Sequence, residues 1–150
     1  MVMSDRIALL RSGELEQIAS PREIYNRPAT AYVAQFIGHT NLLKGECKAG
    51  VVHCGAMSWQ ASLPDGPALL SLRPEHLRFA AESATPGSVR VHGRIVQQAF
   101  HGAMELVRIE CAGGLTLTMR TASDGGLKND VDLEFLPADA IPVRESPEGL

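Results

Sequence analysis

From Asn41 to Val143 the chain consists of short runs in which apolar and polar residues alternate, separated every few positions by Gly, Pro or Asp. The runs are "NLLKGEC", "GVVHC", "MSWQASL", "ALLSLR", "SVRVHGRIVQQAF", "MELVRIEC", "LTLTMRT", "VDLEFL" and "AIPV". A period of two puts successive side chains on opposite faces of a strand, so each run suits a strand with one face buried. Many short strands at close spacing, with almost no helical pattern among them, predict a small closed or nearly closed β-barrel or a sandwich. A barrel of the oligonucleotide-binding (OB) type is the nearest simple architecture.

The first 40 residues read differently. "RIALL" and "LEQIA" flank "RSGE", which predicts a hairpin whose Gly13 adopts positive φ at little cost. Ser20 then opens a short helix with a capping box completed by Glu23, and Pro21 sits at the first helical position, where its missing N–H costs nothing. Pro28 ends that helix. Thr30 caps a second helix in which Tyr32, Val33, Phe36 and Ile37 fall on one face, and Gly38 is placed to stop it in the left-handed conformation. Together with Ile24 and Tyr25, that stripe forms an apolar surface which must be covered by the barrel or by a second chain. The expected organisation is a hairpin with two helices over 1–40, a barrel over 41–145 and a flexible polar tail over 146–150.

The 150 residues and 45% hydrophobic content suffice for one folded domain, or a small domain with an appendage. A net charge of −3 gives no electrostatic case for nucleic acid or anionic membrane as a partner. Outside the helices the aromatics are Trp59, Phe79, Phe100 and Phe135, too few for a stacking groove on single-stranded nucleic acid. No apolar run reaches the roughly 18 to 20 residues that span a bilayer, and the N-terminus lacks the apolar stretch of a signal peptide, so a cytoplasmic location is expected. Cys47, Cys54 and Cys111 form an odd set and read as reduced thiols.

Catalytic motifs are missing. The sequence has neither a GxxxxGK[ST] phosphate loop nor a GxGxxG turn, so the chain should not bind a nucleotide by itself. His53 and Cys54 are adjacent and would point to opposite faces of a strand, and no CxxC or HxxxH pair exists, so no metal is expected. No signature singles out a Cys–His nucleophilic pair. Glu14 and Glu16 read as a solvated strand face. The one polar constellation that interrupts a strand is "LSLRPEHLRF", where Pro74 holds Arg73 and Glu75 at a strand end, able to pair with each other or across an interface.

"MSDRIALLRSGELEQIASPREIYNRPATAYVAQFIGHTNLLKG" resembles the segment of bacterial ABC-transporter ATPase subunits in which the nucleotide-binding domain ends and the C-terminal domain begins. "LSLRPEHLRF", "VHGRIVQQAFHGAMELVRIE" and "LTLTMR" resemble the transport-associated OB-type (TOBE) domain of the same subunits, with Gly102 at a turn between two long barrel strands. The resemblance implies a C-terminal piece without phosphate loop, signature motif or switch histidine, hence no catalytic residue and no cofactor of its own. ATP and magnesium would belong to the full-length parent, an ATPase on the cytoplasmic face of the membrane. Implied partners are a second copy in a homodimer and, for the parent, membrane-spanning permease subunits and a periplasmic or lipid-anchored solute-binding protein. Arg73, Pro74 and Glu75 become the structural corner or dimer contact. The implied role is non-catalytic regulation and dimerisation within an importer of polyamine or ferric iron, with sugar or glycerol phosphate as the other candidates. A freestanding oxyanion-binding module of the molybdate-binding barrel type is the alternative.

Overall fold

In a computed structural model of the chain, the residues described are 6–80, 85–122 and 129–145. Strands β1 (Ile7–Arg11) and β2 (Glu14–Ala19) pair antiparallel across Ser12 and Gly13, which both take positive φ, at 50° and 82°. That pair of left-handed residues matches the right-handed twist of a two-residue hairpin. Helices α1 (Pro21–Asn26) and α2 (Ala31–Ile37) follow. The Ser20 hydroxyl accepts from the Glu23 amide and donates to the Glu23 carboxylate, while Thr30 accepts from the Val33 amide, so both predicted caps form.

The remaining strands make two five-stranded sheets. One is ordered β12–β6–β3–β4–β5, from β3 (Asn41–Lys48), β4 (Val51–Cys54), β5 (Met57–Gln60), β6 (Gly66–Leu72) and β12 (Ile141–Pro142). The other is ordered β10–β9–β8–β11–β7, from β7 (Arg78–Phe79), β8 (Val89–His101), β9 (Met104–Cys111), β10 (Thr116–Ala122) and β11 (Asp130–Phe135). All their pairings are antiparallel, and the alternating burial along β5 and β9 shows one face turned inward. Leu43, Leu70, Leu72, Val107, Ile109, Leu117, Leu133 and Phe135 from both sheets share one core, with Trp59 set edge-on to Phe135 at 5.5 Å. This is the mainly β, OB-like barrel preceded by a hairpin and two helices that the sequence pattern predicts.

Each of the nine predicted runs holds a strand. Only β7 went unread, because two residues after a turn carry no periodicity. Gly102, at φ 69°, makes the β8–β9 turn, and β8 carries a bulge at Val96 that lets its outer half run on as an arm. Asn41 stitches the two sheets together: its amide donates to the Leu72 and Thr118 carbonyls at 3.1 and 2.9 Å, and its oxygen accepts from the Thr118 amide at 2.7 Å. Among the described residues no helix is long and apolar enough to cross a membrane.

Gly45 marks where β4 crosses over β3. A Cβ there would stand 2.3 Å from the His53 carbonyl oxygen, a backbone atom that cannot swing aside. Gly45→Ala should therefore lower stability by about 1–3 kcal/mol. Urea unfolding checks it, and an unchanged midpoint would show that the barrel relaxes freely at this crossing.

Candidate functional site

The hairpin and helices have their own small core, with Leu9, Ala19, Ile24 and Val33 buried and Ile7, Tyr32 and Ile37 packed against them. The seam with the barrel is polar. At its centre lies Arg73, which follows β6 and is only 3% exposed. Pro74, at the start of a 3₁₀ turn and itself buried, holds the preceding residue extended, and Arg73 is found at φ −68°, ψ 144°. Its side chain is thereby aimed back under the helices.

The guanidinium meets main-chain carbonyls. Nε and Nη2 both donate to the Tyr25 carbonyl, at 3.4 and 3.1 Å. Nη1 donates to the carbonyls of Ala34 at 2.9 Å, Gly38 at 3.2 Å and His39 at 3.0 Å. These belong to the last turn of α1 and to the end of α2, where helices leave carbonyls without intrahelical partners. A cation at that position satisfies the carbonyls and suits their partial charge. Gly38 therefore departs from the sequence expectation: it is extended, at φ 175°, because Arg73 takes the place of a left-handed stop.

Arg73 and Glu75 form no ion pair with each other. Tyr25 lies between them, its ring centroid 4.3 Å from the Arg73 Cζ and its hydroxyl donating to the Glu75 carboxylate. Burial, and next the bond to Glu75, push the Tyr25 hydroxyl above its ordinary range. Burial alone would raise the Glu75 carboxyl, but the Tyr25 hydrogen bond, its own backbone N–H and the Arg120 and His76 charges outweigh it and leave it lowered. Burial lowers Arg73, against the pull of Tyr25 and Glu75, and a guanidinium stays charged regardless.

Further ties hold the helices to their hairpin and to the end of the barrel segment. The Gln17 side-chain oxygen accepts from the Ala29 amide at 2.8 Å and its nitrogen donates to the Arg27 carbonyl at 3.1 Å. The Thr30 hydroxyl donates to the Glu16 carboxylate at 2.9 Å, so half-buried Glu16 is a structural acceptor rather than part of a solvated face. Arg144 pairs through its main chain with Ala29 and Ala31, at 3.0 and 2.9 Å, bringing the end of the barrel segment back to the helices. Gln17, Glu16 and Arg144 gave no advance signal, since their partners lie on other elements.

The predicted apolar stripe divides in two. Ile24 and Val33 are fully buried and Ile37 is half-buried, whereas Phe36 is 62% exposed and stacked on Tyr32, over which Arg11 also lies. A helix of seven residues cannot turn four such side chains to one neighbour when the residue beside Val33, Ala34, also packs inward. His53 is exposed and Cys54 buried, on opposite faces, and among the described residues no group of three or more His, Cys, Asp or Glu is placed to hold a metal ion. Beside Arg73, between the end of α1 and the barrel, lies a cavity of about 350 Å³ whose lining includes Tyr25, Arg27, Ser71, His76 and Asp139.

Comparisons with known proteins agree with this architecture. A family model described as the TOBE domain matches residues 70–142. The chain is 32% identical over 171 residues to the spermidine/putrescine import ATP-binding protein PotA of Frankia alni, a match covering 97% of this chain and 37% of that protein. It is 32% identical over 146 residues to the sulfate/thiosulfate import ATP-binding protein CysA 2 of Chromobacterium violaceum, covering 95% of this chain and 39% of that protein. The chain thus spans little more than a third of the length of these relatives. Among solved structures, the cytoplasmic molybdate-binding protein ModG matches with a TM-score of 0.60 at 13% identity, over 69% of this chain and 95% of that one, a likeness of fold.

Removing the Arg73 side chain leaves the carbonyls of Tyr25, Ala34, Gly38 and His39 without their donor at a largely buried seam. Arg73→Ala should cost about 3 kcal/mol or more, and Arg73→Lys should restore little, because an ammonium lacks the forked geometry. Hydrogen exchange reads the effect: amides of α1 and α2 should lose protection ahead of β8, β9 and β11. Equal loss everywhere would show that Arg73 serves the barrel instead.

The pH dependence follows from Tyr25 and Glu75. Glu75 is held below its ordinary 4.5, so its contribution is present above 4.5 and lost as pH falls through its folded value. Tyr25 is held above its ordinary 10.0, so its contribution is present below 10 and lost as pH rises through its own folded value. Thermal melts should show a plateau between those limits. Tyr25→Phe should flatten the acid limb, and an unaltered limb would show that other carboxylates govern it.

Proposed function

The chain belongs to the ATP-binding subunits of ABC transporters and carries their TOBE domain, and on that premise we propose that it is a non-catalytic regulatory and dimerisation part of an importer's ATP-binding subunit. The Arg73 latch supports this best. One guanidinium fastens the ends of both helices to the end of barrel strand β6, so a displacement of the helices must be passed to the barrel, or the latch must break. In a full-length subunit the hairpin and helices would form the last part of the nucleotide-binding domain, and the seam would carry its motion to the barrel. The parent would act with permease subunits and a solute-binding protein on the cytoplasmic face of a membrane. Polyamine or ferric iron remains the favoured cargo, selected by those partners rather than by this chain.

The dimer reading rests on an uncovered face of the hairpin. Ala8 lies opposite Ile18 and Leu10 opposite Leu15, and Leu10, Leu15 and Ile18 are 59%, 58% and 47% exposed. With Phe36 nearby in sequence and also exposed, the unit over residues 6–38 presents apolar surface suited to a second copy. Light scattering at tens of micromolar should report a dimer that hydrolyses no ATP, and Leu10→Glu with Leu15→Glu should convert it to a folded monomer. A monomer formed by the unsubstituted chain would overturn the dimer. The fold shared with a molybdate-binding protein keeps a second reading, a freestanding oxyanion module, which calorimetry with molybdate, tungstate and sulfate tests; no heat from any of them removes it.

A further inference from the structure

The 350 Å³ cavity beside the latch is lined by an uneven set of charges. Arg73 and Arg27 are cations, and Asp139 is the only carboxylate among the lining residues. Arg27 is exposed and its guanidinium makes no ion pair among the described residues; its bonds are through its main chain, from its amide to the Glu23 carbonyl and from the Gln17 side chain to its own carbonyl. Of the five N–H groups of Arg73, one of the two on Nη2 has no acceptor, because Nη2 makes a single bond, to the Tyr25 carbonyl. A guanidinium only 3% exposed that lines a polar cavity and keeps one N–H without an acceptor is incompletely satisfied.

His76 adds a third group. Its Nδ1 is enclosed and has no hydrogen-bond partner. A ring nitrogen enclosed beside a cavity and left without a partner is open to a guest that can bond it. Two guanidinium groups and an imidazole around one cavity, against one carboxylate, are suited to an acceptor-rich and negatively charged guest. The volume exceeds that of a bare tetrahedral ion and falls at the lower end of small-molecule sites.

We propose that the junction cavity binds a small organic anion, a phosphate ester or polycarboxylate, held by Arg27, the unused Nη2 hydrogen of Arg73 and His76. Such a guest touches α1 through Arg27 and the barrel through Arg73 and His76, so its occupancy would tighten the seam and bias the coupling between the two parts. The site depends on the cavity itself and on neither reading of the whole protein: it stands for an importer subunit and for a freestanding module alike.

Isothermal calorimetry on the full chain, with citrate and glycerol 3-phosphate as the two organic probes and inorganic phosphate as the bare-ion comparison, tests it. One site per chain is expected for at least one organic probe, tighter than for inorganic phosphate. Arg27→Ala and His76→Leu should each weaken it about tenfold or more, and Asp139→Asn should tighten it severalfold by removing the opposing charge. Circular dichroism of the variants confirms their fold, and none of the three substitutions removes a latch bond. Absence of binding by both organic probes up to about 10 mM, or unchanged affinity in Arg27→Ala and Asp139→Asn, overturns the assignment. Loss of dimerisation with intact anion binding would instead count against the dimer reading alone.

Discussion

A charge withdrawn from water must find acceptors on every side, and Arg73 finds them in the carbonyls that two short helices leave open. Alternative arrangements of this seam are costly for that reason. If the helices shift, a buried guanidinium loses acceptors and helix ends lose their donor together, and neither can recover the loss from solvent. The absence of a carboxylate partner matters as well. A buried Arg–Glu pair could follow either residue, whereas a fan of carbonyls fixes the guanidinium with respect to the backbone of residues 25 to 39. Gly38 is extended, Tyr25 lies flat against the cation, and Glu75 is engaged by the Tyr25 hydroxyl as consequences of that one placement.

The two parts of the molecule hold together on different terms. Each has an apolar core of its own, the barrel around Leu43, Ile109 and Phe135 and the hairpin around Leu9, Ile24 and Val33. Between them run directional bonds, Arg73 to the helix ends and Arg144 alongside Ala29 and Ala31, while Glu16 to Thr30 and Gln17 to the 27–29 backbone fix the helices on their own hairpin. Apolar packing tolerates sliding, while hydrogen bonds of fixed geometry do not. A seam of the second kind sets one relative orientation and lets a small ligand or a mechanical displacement alter it, and this is why the seam, rather than either core, carries the functional reading.

Much of the fold was legible because strands and caps are local. Alternation over five or more residues marks a strand wherever its partner lies, and Ser20 and Thr30 cap helices through amides three residues away. Even the TOBE relationship was written in a short contiguous stretch around Arg73. What could not be read were contacts made between distant segments. β7 is a strand only because Leu133 and Glu134 lie beside it. Glu16 looked solvated until Thr30 was brought to it, and Phe36 looked like one member of a buried stripe until Ala34 took the inward position.

The sequence by itself determined that this chain is a small β-barrel entered through a hairpin and two capped helices, since period, turn chemistry and capping act over a few residues. It also picked out Arg73, Pro74 and Glu75 as a place where a strand is interrupted on purpose. The role of that corner was decided only by tertiary structure. An arginine after a strand can pair with a neighbour, reach solvent or turn inward, and the choice depends on which carbonyls the folded chain leaves unsatisfied within its reach. Residues 25, 34, 38 and 39 supply them, some 34 to 48 positions away along the chain, a distance over which local propensity conveys nothing.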